Sequence, residues 1–395
     1  MTRTLPMQRG GCPFDPPAEL GRLREKEPLS RLLYPDGHLG WLVTSHALAR
    51  EVLADDRFSA RSELRRMPVR TALNAERELQ KAPPGMFTNM DAPEHTRYRR
   101  LLTGHLTVKR MKLLEPLITR ITEDLLDEME RHGPTADLLE AFAAPIPALV
   151  MCELLGIPYP DREQFQRDLA LLSNLRSGGD DAKAAIASIQ AFFADLIRDK
   201  RANPGDDLLS GLATSTDLTD AELTGMGFLL LAGGHETTAN MLSLGAFALL
   251  CHPEEWARLR ADRSLVGNTV EELLRYLTIF QIGTMRAALE DVELDGKVVK
   301  AGETVSISFS AANRDPERFP DPDRLDITRS TSGHMGFGHG VHQCIGQQLA
   351  RVEMRIGFDL LSRRFPTLRL AVPAEDVPMR HNMSFYGVDS LPVAW

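Results

Sequence analysis

The densest group of chemistry-bearing residues lies between Phe337 and Gly346, which read FGHGVHQCIG. Its thiol, Cys344, is followed at once by QQLARVEMRIGFDLLSRRF, whose apolar residues recur at helical spacing. One cysteine therefore sits in a glycine-built loop at the start of a helix. The partial positive charge of a helix N-terminus lowers a thiol pKa, and a thiolate there can ligate a metal. Two other readings compete. A lone cysteine is most often a small buried hydrophobe. A cysteine nucleophile needs a histidine base from elsewhere in the fold.

A second polar group interrupts an apolar helix. Thr219 to Glu222 (TDAE) forms a capping box, and a helix of roughly 45 Å follows to about Leu250. Its middle reads FLLLAGGHETTANMLSL. Glycine inside a helix costs about 1 kcal/mol against alanine, and buried Glu and Thr cost more without partners. This is either a kinked core helix with satisfied polar groups or a helix that passes over a flat cofactor. In the second case the glycines leave room for a small bound molecule, and the acid–alcohol pair moves protons. Two helical pairs complete the set. His95 and Arg99 share one face of a helix that Asp91 and Pro93 announce. Glu272 and Arg275 form E-x-x-R within VEELLRYL. Each pair alone could be an ordinary surface face.

Together these residues carry a resemblance. Phe337, Gly340, Cys344 and Gly346 fill every fixed position of F-x-x-G-x-x-x-C-x-G. Composition gives a chance match on the order of one in a thousand. The stretch resembles the cysteine loop of the cytochrome P-450 haem-thiolate monooxygenases. Gly233, Gly234, His235, Glu236 and Thr237 match the oxygen-activation pattern [AG]-G-x-[DE]-T of that family, and His95 and Arg99 match its D-x-P-E-H-x-x-x-R segment. The order Thr motif, E-x-x-R, Cys loop is also the family's. The resemblance covers nearly the whole chain. One departure is Leu106, where many relatives carry Phe.

The resemblance implies a mainly α fold with small β-sheets, a long central helix over haem, and a single domain over residues 1–395. It implies haem b, with Cys344 as the metal ligand and Gly233, Phe337, Gly338 and Gly346 around the cofactor. His95, Arg99, Arg286 and His342 become the partners of the two propionates. Glu236 and Thr237 become the catalytic pair. Glu272 and Arg275 join a second arginine in a buried ion network. Arg318 (PERF) and Arg324 (PDRL) are the candidates, and Arg324 fits the pattern better. Substrate-facing positions are Met86, Phe228, Ile282, Gly283 and Phe385, with SNLRSGGDDAKAA as the connection that opens over substrate. The early GCPFDPP and the chain's ending resemble actinomycete members that oxidise secondary metabolites and drugs. The implied reaction is insertion of one oxygen atom from O2 into an apolar organic molecule, C–H hydroxylation or epoxidation. Electrons would come from NAD(P)H through a separate ferredoxin and ferredoxin reductase. A peroxygenase using hydrogen peroxide, and a haem sensor or carrier without turnover, are the alternatives.

The remaining chain agrees with this. It has 395 residues, 43% of them hydrophobic, which is ample for a large core. Its formal net charge of −9 argues against nucleic-acid binding. Four scattered cysteines with no CxxC pair argue against structural zinc and a disulfide scaffold, and for the cytosol. No apolar stretch is long enough for a membrane span or signal peptide. A cytoplasmic monomer is expected. WLVT (41–44) reads as a strand and Ser45 as the cap of the next helix. PLITRITEDLLDEMERHG and ADLLEAFAAPIPALVMCELLG read as successive helices. Asp295-Gly296 reads as a hairpin turn. Arg61, Arg65, Arg66 and Arg70 lie in an irregular loop. Arg97, Arg100, Lys109, Arg110 and Lys112 stand out as a basic patch that suits an acidic electron donor.

Overall fold

The computed structural model describes residues 3–70, 80–158 and 162–395. Among these residues the helices are α1 (Ala18–Lys26), α2 (His46–Ala54), α3 (Glu94–Thr103), α4 (Val108–His132), α5 (Pro145–Leu155), α6 (Arg162–Ser173), α7 (Gly179–Ala202), α8 (Leu208–Ser215), α9 (Asp220–Cys251), α10 (Pro253–Ala261), α11 (Val266–Leu277), α12 (Phe309–Ala312) and α13 (Gln347–Arg364). The strands are short: β1 (Leu29–Leu33), β2 (Leu39–Val43), β3 (Phe58–Ser59), β4 (Thr135–Asp137), β5 (Thr284–Ala288), β6 (Val292–Leu294), β7 (Lys297–Val299), β8 (Thr304–Ile307), β9 (Arg369–Leu370) and β10 (Pro392–Ala394). The fold is mainly α with small sheets.

Helix α9 is the axis. Thr219 caps it, with both halves of the capping box formed. Its flanks pack on α5, α7, α11 and α13 because it is apolar on every side, as a fully buried helix must be. Its C-terminal half lies in one core with Leu273, Phe358 and Leu361, and its N-terminal half in a second core with Phe193 and Leu212. Between the halves lies the polar segment Gly233–Thr238.

The main sheet runs β1-β2-β8-β5-β3, with β2 and β8 parallel and the other pairs antiparallel. It carries Arg286 on β5 opposite Val305. The β6–β7 hairpin turns at Asp295 and Gly296, both in the left-handed region, as expected for that dipeptide.

One expectation needs correction. ADLLEAFAAPIPALVMCELLG is not one helix. Its start, Thr135–Asp137, is a strand paired with Pro392–Ala394. Asp137 Oδ1 accepts the amides of Leu139 (2.9 Å) and Leu391 (3.0 Å), which fixes extended backbone there. A π-helical turn over Leu139–Ala143 then precedes α5, which opens at Pro145, a residue with no N–H to continue a helix. The helix start that Asp91 and Pro93 announce is found, at Glu94, although the Asp91 side chain makes no cap bond. Its carboxylate accepts from Ser59 Oγ (2.5 Å) and the Ala60 amide (2.8 Å), tying the helix start to β3 instead.

Candidate functional site

The Cys344 loop is built by backbone that only glycine adopts cheaply. Gly338 and Gly340 have φ of 72° and 74°, and a Cβ on Gly340 would stand 2.2 Å from the Leu53 carbonyl at the end of α2. The Cys344 amide donates to the Phe337 carbonyl at 2.9 Å, which closes the loop. The thiol accepts from the backbone N–H groups of Gly346 and Gln347, at the start of α13. Burial nonetheless pushes the Cys344 thiol up. It outweighs those N–H groups and the charges of Arg99 and Arg351. The helix terminus acts in the expected direction, and burial opposes it. A bound metal would make the thiolate, by taking the proton's place. Cys344 is surrounded by protein atoms yet keeps accessible surface, whereas Cys152 is buried in α5.

Across the core, Gly233 is an accessible point in the middle of α9, between buried Leu231 and His235. A Cβ there would meet nothing within 4 Å. Gly234 differs: a Cβ there would lie 2.5 Å from the Met151 sulfur, so it serves the packing of α9 on α5. Thr237 Oγ1 donates to the Gly233 carbonyl at 2.6 Å. The neighbouring Glu236 is 7% exposed. Burial raises its pKa, against Ser173 and Arg380, which lower it.

Cationic and donor side chains converge beside the Cys344 loop. The rings of His95 and His342 lie 4.0 Å apart, and His95 Nε2 and His342 Nδ1 are buried without a partner. Arg99 donates to the Gln343 carbonyl. Arg286, on β5, is 6% exposed and donates to the Met285 carbonyl at 2.9 Å. Burial and then the charges of Arg286, His95, Arg99 and Arg65 push His342 down to about 3. Arg65 is an addition. It belongs to the irregular loop of Arg61 to Arg70, is held by Asn89 and by the Ala60 carbonyl (3.1 Å), and lies close enough to Arg286 to depress it. No spacing or period marks it in the sequence.

Glu272 and Arg275 are fully buried and bidentate, at 2.7 and 2.8 Å. The expected third member, Arg324, is wrong. Its side chain is 60% exposed and pairs with Asp326. Arg329 reaches Glu272 instead, at 3.3 Å, with 11% of its side chain exposed. Arg324 contributes only its carbonyl, which accepts from Arg275 and Arg329. Arg318 points elsewhere, to the Ser332 carbonyl.

A family model for cytochrome P450 matches residues 171–386. Cytochrome P450 105C1 of a Streptomyces species is 48% identical over 97% of this chain and 96% of that relative. The chain belongs to the cytochrome P450 family. Vitamin D3 dihydroxylase of Streptomyces griseolus is 42% identical over 97% of this chain and 95% of that P450. The crystal structure of the P450 CYP105P1 in complex with filipin I superposes with a TM-score of 0.94 at 42% identity, covering 100% of this chain and 99% of that one.

A P450 is an oxygen-incorporating oxidoreductase whose cofactor is haem with a cysteine thiolate on iron. The residues fit that group. Four cationic or donor side chains and two orphaned ring nitrogens gather without enough acid to balance them, and two propionates would do so. The accessible thiol and the gap at Gly233 suit the two faces of a flat ring. No helix among the described residues is long and apolar enough to cross a membrane.

The substrate side is less as expected. Phe385 stacks on Phe280 at 5.3 Å, and Met86 and Phe228 are partly buried. Ile282 packs into a core with Leu20, Leu23 and Leu32. Gly283 has φ of 63°, and a Cβ there would lie 2.0 Å from the Ile307 carbonyl. Both are structural positions rather than cavity wall. The α6–α7 connection is pinned: Asn174 bridges Met383, Leu175 donates to Asn382, and Ser384 to Ser173.

Proposed function

We propose that this P450 inserts one oxygen atom from O2 into a medium-to-large apolar natural product or drug-like molecule. The observation that carries the residue assignment is the hydrogen bond from Thr237 to the Gly233 carbonyl, beside an opening in the central helix and next to buried Glu236. Cys344 holds the iron. His95, Arg99, Arg286 and His342 receive the propionates. A bound haem, held by the Cys344 thiolate, would supply the redox chemistry that activates dioxygen. The chain binds substrate, excludes water and places protons. Glu236 takes a proton from outside and passes it towards Thr237, whose hydroxyl presents it at the Gly233 notch. The apolar ring pair Phe280–Phe385 and Met86 and Phe228 favour a hydrophobic substrate. So does the relatedness to a vitamin D3 dihydroxylase and to a P450 crystallised with filipin I.

Electrons come from NAD(P)H through a ferredoxin and its reductase, in the cytoplasm, to a monomeric P450. Arg100, Lys109 and Lys112 are exposed beside exposed Val108 and Leu113, a mixed basic and apolar surface that suits an acidic ferredoxin. Arg97 drops out of that patch, because Glu222 and Asp217 hold it. Reversing Arg100 and Lys112 to Glu should slow reduction by ferredoxin and flatten its salt dependence; an unchanged salt slope would place docking elsewhere.

The test of the ligand assignment is the reduced carbonyl spectrum. The parent should show the strongly red-shifted Soret band of a thiolate-ligated haem, and Cys344→Ser should lose it. A variant that keeps the band and full turnover would refute Cys344.

A further inference from the structure

The Cys344 loop rests on three side chains that the reaction does not use. Glu271, on α11, accepts from Arg351 Nε at 2.6 Å and Nη2 at 3.0 Å, and from His334 Nε2 at 2.9 Å. His334 Nδ1 accepts the Gly336 amide at 3.0 Å, so the ring proton lies on Nε2 and a neutral ring suffices. The three residues come from α11, from the start of the Cys344 loop and from α13. Burial works against the charged form of Glu271, yet His334 and Arg351 hold its carboxyl down to about 2. Glu271 therefore faces the Arg351 guanidinium as a carboxylate.

The positive end lies against the Cys344 loop. The Arg351 guanidinium lies 4.5 Å from the centroid of the Phe337 ring, a cation–π contact, and the Phe337 carbonyl accepts the Cys344 amide.

We propose that Glu271, His334 and Arg351 are positioning residues that set the reduction potential of the thiolate-ligated haem, by fixing one guanidinium charge against Phe337 beside Cys344. This rests on the reading of Cys344 as the ligand. A cation near the sulfur draws electron density away from iron and favours the ferrous state. Hydrogen bonds, charge and burial around a thiolate are the protein's levers on such a potential. Glu271 partly cancels that charge while it holds the guanidinium in place.

The experiment is a spectroelectrochemical titration of the substrate-free holoprotein, with the reduced carbonyl spectrum taken for each variant. Arg351→Met should move the midpoint potential to a more negative value. Glu271→Gln keeps the shape and most hydrogen bonds but removes the balancing charge, so it should move the potential the other way. Opposite shifts distinguish electrostatic control from loosening of the loop, which would move both variants in one direction. Potentials at the parent value in both, or shifts of the same sign, overturn the proposal. Should Arg351→Met not retain haem, Glu271→Gln decides alone: a shift to more positive potential supports the proposal, and no shift or a negative one overturns it. A parent without the red-shifted carbonyl band would overturn the ligand assignment, and this proposal with it. A parent that shows the band while its variants keep its potential overturns the proposal only.

Discussion

Arg380 reaches the carboxylate of Glu236 at 3.5 Å from the loop that precedes β10. Ser173, the last residue of α6, donates to the other oxygen of the same carboxylate. Two segments more than two hundred residues apart in the chain thus meet on the acid beside Thr237.

This contact has a pH signature. Burial raises the Glu236 pKa, and Ser173 and Arg380 pull it back. His235 beside it is held down to about 4, mainly by burial, and is neutral above that pH. Asp389 competes for Arg380 at 3.3 Å. Arg380→Met removes the one cation facing Glu236 from this loop, so Glu236 should keep its proton to higher pH. The pH profile of product formed per NAD(P)H oxidised should shift upward. An unshifted profile would mean that Arg380 does not govern the acid.

Arg329 and Arg324 make a paired prediction. Arg329→Met deprives buried Glu272 of a charged donor and should cost about 2 kcal/mol of stability. Arg324→Met removes only an exposed pair and should stay within about 0.5 kcal/mol of the parent. Urea unfolding of the haem-loaded protein measures both, and equal costs would contradict the assignment of Arg329 to the network.

The sequence shows the Cys344 loop and α9 because both break local rules. Glycines cluster before a helix in one, and polar residues sit in an apolar helix in the other. It does not show Arg329, because Arg324 and Arg329 end two successive turns five residues apart and only tertiary packing decides which points inward. Ser173 and Arg380 are invisible for the same reason: each joins the site through contacts distant in the chain. Thr135–Asp137 misleads because its helix-forming neighbours outweigh a strand partner some 255 residues away. Ile282 and Gly283 look like cavity residues by composition, yet each serves the main sheet and its core.

Glu353, on α13, offers a further test. It is 1% exposed, bonded by Thr238, with Oε1 lacking a partner. Burial pushes its carboxyl up to about 8 from 4.5. A raised carboxyl pKa stabilises the fold below the unfolded value, and that stability is lost as pH rises towards the folded one. Between pH 4.5 and 8 the loss approaches about 4 kcal/mol as an upper limit. Glu353→Gln should remove this slope, so that the parent loses stability relative to the variant as pH rises. Parallel curves of unfolding free energy against pH would show that Glu353 ionises normally.

The measurement closest to the central claim is the fate of electrons in Thr237→Ala. The hydroxyl held on the Gly233 carbonyl is assigned to proton delivery. Haem content and substrate affinity should survive its loss, since only a hydroxyl and a methyl group disappear. Product per NAD(P)H oxidised should fall, and hydrogen peroxide should rise to account for the missing electrons. A variant that is less stable but forms as much product per NAD(P)H as the parent, with no added peroxide, would contradict the account.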